Sequence, residues 1–538
     1  MRKYFLLVIA IIFFINSISY TQEMTIKEKV ERYKQVTLTS DLSWLSSNEK
    51  RMIPILIEIA NIMDNLFWQQ NYGDKEKLLN LITDDFEKKY VLINYGPWDQ
   101  LDGEKPFIKG FGDKPKGANF YPVDMTIEEF NNLKDESKTS PYTILRRDSK
   151  GNLIVIPYSV AYEKELKEAY SLMLKASELA EDEGLKKYLK LRAEALITDN
   201  YQPSDFAWME MKTSNIDFIV GPIENYTDGL FGYKTAFESF ILIKDKKWSN
   251  KLNKFTSLLP DIQKSLPVEE KYKTETPGLE SDLNVYDAIY FAGDCNAGSK
   301  TIAINLPNNE EVQLKKGSRR LQLKNVMKAK FDNIMIPISE ILIVPEQRKY
   351  VKFNAFFENT MFHEVAHGLG IKNTITGAGT VREVLKDMYS SIEEGKADIL
   401  GLYLVTQLYE MGELTEGELM DNYVTFVTGI FRSCRFGAAS PHGKANMVRF
   451  YYFLDKGAIS RNEKGMYSIN FEKMKVAVES SVKEILTIQG NGDYELAKSI
   501  IEKDGYIKEI LKLDLDRINS SNIPVDIVFN MGLEYLNF

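Results

Sequence analysis

Two of the chain's three histidines stand four residues apart in Phe362-His363-Glu364-Val365-Ala366-His367, an HExxH spacing inside an apolar stretch with helical patterning. Side chains four apart share one face of a helix, so both imidazoles can bind one ion while Glu364 reaches a water held there. The chemistry this suits is hydrolysis assisted by one Zn²⁺: the ion acidifies water, the carboxylate takes the proton, and the water attacks a polarised carbonyl.

Catalytic zinc usually has three protein ligands and an open position. Two readings supply the third. If the motif runs on as HExxHxxGxxH, Gly370 fits the turn, but Asn373 stands where a histidine belongs, and a neutral amide is a poor zinc ligand. The favoured reading uses Ile392-Glu393-Glu394-Gly395-Lys396-Ala397-Asp398, with Glu394 as the third ligand. Asp398, one turn on, would accept from the free ring nitrogen of a ligating histidine, and Glu393 would add an outer contact. Alone, such a string also describes a solvated helix face; its apolar continuation through Leu400, Leu402 and Leu404 argues for a packed one. The remaining histidine, His442, lies in Ser440-Pro441-His442-Gly443-Lys444-Ala445-Asn446 and is the candidate donor to a developing oxyanion.

These strings together resemble the dipeptidyl peptidase III family of zinc peptidases. Glu393 to Asp398 is similar to that family's EExxAE or EExxAD motif, and the segment from His442 to Gly457 to its transition-state histidine segment. Ile304-Asn305-Leu306-Pro307-Asn308 resembles an INxPN string, and Ile223-Glu224-Asn225-Tyr226 a string with an amine-binding Glu and a carbonyl-assisting Tyr. The resemblance implies that Glu224, Asn305 and Asn308 bind the substrate's free N-terminus, and that Tyr226 and His442 stabilise the transition state. It implies an exopeptidase that takes dipeptides from short peptides, and an α+β fold of two lobes. A mixed α/β lobe (20–310) would face a mostly helical zinc lobe (311–538) across a cleft.

Two departures stand out. The family commonly carries HExxxH, whereas this chain has the step a regular helix presents best. Eleven residues before Glu393, where an acidic amine-binding residue is sought, stands Arg382, with Glu383 beside it. Two alternatives follow: a zinc hydrolase of the same fold with altered peptide specificity, and an exported peptide-binding protein without turnover. Glu364 beside a metal-held water argues against the second.

With 538 residues the chain exceeds what one core holds. Its 68 basic against 77 acidic residues give a net charge of -9, which does not suggest a nucleic-acid partner. Met1-Arg2-Lys3, an apolar run from Tyr4 to Ile15, and small residues to Ser19 have the layout of a cleavable secretory signal (1–19), so the expectation is export without a membrane span afterwards. Cys295 and Cys434, the only cysteines, lack metal-ligand spacing and read as small buried residues. Helical patterning marks Met24 to Gln70, Ser159 to Ile197 (one helix or two) and most of the chain after Leu323. Strand character falls between Ile216 and Leu306.

Overall fold

The computed structural model describes residues 24–275, 282–438 and 440–537. The secretory signal expected over 1–19 lies outside the described residues.

The middle of the chain builds one five-stranded sheet from β1 (Ile216–Glu224), β2 (Ala236–Lys244), β3 (Asp282–Gly293), β4 (Ala303–Leu306) and β5 (Arg319–Leu323), in the order β1-β2-β3-β5-β4. The first three run antiparallel; β5 lies parallel to β3, and β4 returns antiparallel to β5. β1 and β2 are buried along most of their length, which is why they read as near-continuous apolar runs instead of alternating ones. The polar exception within β1 is paired: Asp217 accepts from Arg319 at 3.0 Å and from Trp208 at 2.8 Å, well inside the core. Arg319 and Arg320 open β5, and this charged start hides the strand from a reading by apolar pattern.

Helix α1 (Ser47–Asn71) begins at a Ser46/Glu49 capping box and lays its apolar face on β2 and β3. The stretch left open as one helix or two is two, α2 (Glu163–Leu179) and α3 (Glu183–Thr198); the chain turns extended at Ala180, and Asp182 caps α3 by accepting from the Leu185 N–H at 2.8 Å. Helix α4 (Gln202–Glu210) packs on α3. The first helical expectation needs correction: Tyr33–Thr37 is a strand, paired in parallel with Asp526–Asn530 near the far end of the chain. That partner is almost 500 residues away, beyond any local pattern.

The later part is mostly helical, with α5 (Phe353–Ala366), α6 (Tyr389–Glu410), α7 (Leu419–Cys434), α8 (Pro441–Asp455) and α9 (Phe471–Asn491) around a second core. The chain is therefore a mixed α/β lobe and a helical lobe. A single cut at 310 does not describe the division. Leu252 to Leu266, with Leu283 and Val285 at the start of β3, pack into the second core, while Leu321, Leu323, Val326 and Ile527 belong to the first. Strand β3 is long enough to serve both cores, so the boundary runs through an element and the chain crosses it more than once. Among the described residues no helix is long and apolar enough to cross a membrane. Both cysteines are free thiols; Cys434 is buried as expected, but Cys295 is half-buried.

Candidate metal centre

His363 lies in the last turn of α5, and His367 caps it with helical backbone angles of -59° and -29°. One turn of helix sets the two imidazoles edge to face, with ring centroids 5.0 Å apart. Helix α6 crosses α5 at this point because of a glycine. A Cβ at Gly401 would sit 2.8 Å from the His363 backbone nitrogen, so a side chain there would push the helices apart. This close approach brings the acidic face of α6 onto both histidines.

Each imidazole is held by its own carboxylate. His363 Nδ1 lies 2.8 Å from Asp398 Oδ1, and His367 Nδ1 lies 2.9 Å from Glu393 Oε1. A proton on Nδ1 leaves the Nε2 lone pair free to ligate. Both Nε2 atoms turn toward Glu394 Oε2, at 3.3 Å and 3.8 Å. Ligands about 2.0–2.1 Å from a tetrahedral zinc stand about 3.4 Å apart, so these separations suit that ion. The ligand atoms of His363, His367 and Glu394 all lie within 4.8 Å of one another. Glu394 Oε2 is buried without an aligned hydrogen bond, as a ligand oxygen would be.

The electrostatics agree. Burial works to raise the Glu394 carboxyl, but His363 and His442 hold it well below the usual carboxylate range. Burial also opposes ionisation of Glu393, yet Lys396 and His367 hold its pKa at about 2. Burial would lower the His363 pKa, but Asp398 and Glu394 raise it far above an ordinary histidine's. The cluster draws positive charge.

His442 enters at the first turn of α8, whose N-cap Ser440 accepts from the Gly443 N–H at 3.0 Å. Its Nδ1 is 3.0 Å from Glu394 Oε2, and its ring centroid is 5.9 Å from that of His363. With the side chain 59% exposed, one edge of the ring is left to solvent or substrate. His363, Glu364, Asp398 and His442 line a cavity of about 420 Å³ whose far wall includes Thr301 and Ala303. Asn305 shares the Ala303 face of β4.

Glu224 ends β1, and Asn308 donates to the Ile223 carbonyl at 3.1 Å. Burial raises the Glu224 carboxyl, and a hydrogen bond from Asn308 partly offsets that. Glu224, Tyr226 and Asn308 line a separate cavity of about 510 Å³, with Tyr226 82% exposed at its rim. The structure thus gathers His363, His367, Glu394, Glu393, Asp398, Glu364 and His442 at one centre and sets Glu224, Tyr226 and Asn308 at another. Asn373, the alternative third ligand, instead binds Glu275 through its backbone N–H at 2.8 Å and is not part of the cluster. The Arg382 guanidinium stacks over Tyr389 at 4.7 Å.

The sequence reading gave no role to four contributors. Lys396 is buried with Nζ 2.8 Å from Glu393, and Gln489 donates to the other Glu393 oxygen at 3.0 Å. Arg320 reaches from β5 to Glu364, with Nε 3.8 Å from its carboxylate. Gly401 sets the helix approach. Lys396 alone had a local signal, standing three residues after Glu393.

The pattern that defines the group described as Peptidase family M49 matches residues 131–372. The structure superposes on DPP III from Caldithrix abyssi with a TM-score of 0.90 at 40% identity, covering 94% of this chain and 99% of that one. The corresponding values for dipeptidyl-peptidase III from Corallococcus sp. strain EGB are 0.77 and 36%, over 94% and 96%. In sequence, the chain is 36% identical to a protein of Arabidopsis thaliana named Nudix hydrolase 3, over 94% of this chain and 74% of that protein. Human dipeptidyl peptidase 3 is 26% identical, but over only 46% of this chain and 31% of its own length. With two solved dipeptidyl peptidase III structures matched nearly end to end, this chain belongs to the dipeptidyl peptidase III family, peptidase family M49, and is a metallopeptidase.

Proposed function

We propose that this metallopeptidase is a zinc-dependent exopeptidase that releases dipeptides from the free N-terminus of short peptides. The observation that carries this is the convergence of both Nε2 atoms on Glu394 while each Nδ1 is occupied by a carboxylate. His363, His367 and Glu394 would hold one Zn²⁺, and Asp398 and Glu393 would fix the two rings. When bound, the ion polarises the scissile carbonyl and acidifies water.

The chain's own groups do the rest. Glu364 takes the proton from water as general base and later delivers it to the leaving amine. His442, beside the centre, donates to the oxyanion, and Tyr226 donates to the same carbonyl when the peptide spans both cavities. Glu224 pairs with the substrate's ammonium, while Asn305 and Asn308 donate to and accept from its backbone. Anchoring the amine at a fixed distance from the metal sets product length. The layout of residues 1–19 supports export, which N-terminal sequencing of the mature protein from its native host would test.

Mass spectrometry of products from peptides of four to eight residues, with free and acetylated N-termini, tests the reading on the zinc-loaded protein. The expected result is stepwise loss of dipeptides from free peptides only. Cleavage of acetylated peptides at a comparable rate would reject amine anchoring and leave a peptidase of other specificity.

A further inference from the structure

Helix α8 meets α6 along a seam that starts at His442, whose Nδ1 is 3.0 Å from Glu394 Oε2. Three residues on, the Ala445 Cβ lies 3.8 Å from where a Cβ on Gly395 would stand. Seven residues on, Arg449 Nη2 donates to the Gly395 carbonyl at 3.4 Å. Positions i, i+3 and i+7 share one face of a helix. The three contacts therefore form a single line, with His442 at its open end and Arg449 at its buried end.

Arg449 is 3% exposed, and its other arm, Nη1, donates to Ser481 Oγ of α9. One planar fork thus ties α8 to both α6 and α9. Its own helix supplies aromatic faces, with Tyr452 at 5.5 Å and Phe453 at 5.9 Å. Among the described residues no carboxylate lies within ion-pair distance of it; Asp398 of the metal centre and Glu484 of α9 act on its charge from further away. A guanidinium buried without a bonded carboxylate is costly, so packing alone does not account for its presence.

Resting on the transition-state role of His442, we infer that Arg449 is a positioning residue: its fork fixes α8 on α6 and so sets His442 against the metal centre. Helix α6 is also held by α5 and α9, whereas His442 stands in the first turn of α8 with its side chain 59% exposed. Loss of the clasp is therefore taken up by α8 and His442, and the three metal-ligand candidates stay in place. Loss of a positive charge near an anionic centre also favours a bound cation. Hydrolysis and zinc binding should then respond in different ways, as they would not if the whole centre were loosened.

The test is a double-mutant cycle on hydrolysis of one free hexapeptide, whatever the product length, by zinc-loaded parent, Arg449→Met, His442→Ala and the double variant. Arg449→Met is expected to lower kcat by about tenfold to a hundredfold with KM within about twofold. In the His442→Ala background the same change should cost less than about twofold, because the group it positions is gone. Chelator competition should show zinc held at least as tightly as in the parent. Arg449→Lys keeps the buried charge without the fork; its kcat should also fall, and it carries the test should Arg449→Met fail to fold. Equal losses in both backgrounds, a parental kcat in either Arg449 variant, or weaker zinc binding overturns the assignment while leaving the peptidase reading intact. A parental kcat in His442→Ala instead removes the transition-state donor, and the assignment with it.

Discussion

The guanidinium Nε of Arg320 lies 3.8 Å from the Glu364 carboxylate, and the same side chain donates to the Glu364 backbone carbonyl. Arg320 is the register partner of Asn305 across the β5/β4 pair. One strand pair therefore touches both the helix that carries the proposed base and the strand proposed to bind substrate. Replacing Arg320 with Met is expected to lower kcat by about tenfold to a hundredfold through misplacement of Glu364, with zinc content unchanged. A kcat equal to the parent's would remove Arg320 from the positioning of the base.

Glu364→Gln keeps the size of the side chain and removes its basicity. Turnover is expected to drop by at least about a hundredfold to ten-thousandfold, with one zinc per chain still found by metal analysis. Retained turnover would mean that another group takes the proton.

Asp398→Asn and Glu393→Gln each leave a histidine Nδ1 beside a neutral amide. Competition with a chromogenic chelator should show zinc affinity lowered by about 10-fold to 100-fold in each, since the ring loses the partner that orients it. Glu393→Gln should also destabilise the fold, because Lys396 is buried and would lose its carboxylate partner. A variant that binds zinc as tightly as the parent would show the ring to be fixed by packing alone.

Gly401→Ala adds one methyl where the two metal-bearing helices meet. Its Cβ would fall 2.8 Å from the His363 nitrogen, so α5 and α6 must separate. A loss of about 1–3 kcal/mol in stability is expected, together with weaker zinc binding because Glu394 moves from the histidines. Thermal unfolding and chelator competition measure the two effects; a change in neither would mean that the helices part without disturbing the ligands.

Asp514 should set part of the acid limit of stability. It is fully buried and accepts from Arg461 Nε and Nη2 at 2.9 Å each and from the Tyr467 hydroxyl at 2.7 Å. Burial alone would raise its pKa, but Arg461, Tyr467 and Arg517 lower it below the ordinary aspartate value. A carboxylate depressed in the folded state contributes stability that is fully present above its unfolded pKa and is lost as pH falls through the folded one. The melting temperature is therefore expected to decline below about pH 4. Asp514→Asn should cost about 1–3 kcal/mol near neutral pH by leaving half-buried Arg461 and Arg517 without their anion. Its melting temperature should then depend less on pH in the acid range, and parallel pH curves for the two proteins would reject the link.

Much of the metal centre was legible because its parts are local patterns. HExxH and EExxAD are each set by the period of one helix, and with few histidines in the chain the residues able to ligate zinc were easy to find. The middle strands and the helical later part followed from apolar pattern in the same way. What no pattern could supply was contact between distant segments. Strand Tyr33–Thr37 is made by its partner at Asp526–Asn530, and β5 is recognisable only as the neighbour of β3. Which carboxylate holds which histidine, the reach of Arg320 to Glu364, and the clasp of Arg449 on α6 and α9 all depend on separate elements meeting in space. Local sequence determined which groups face outward from each helix; tertiary packing, down to the missing side chain of Gly401, decided which groups they face.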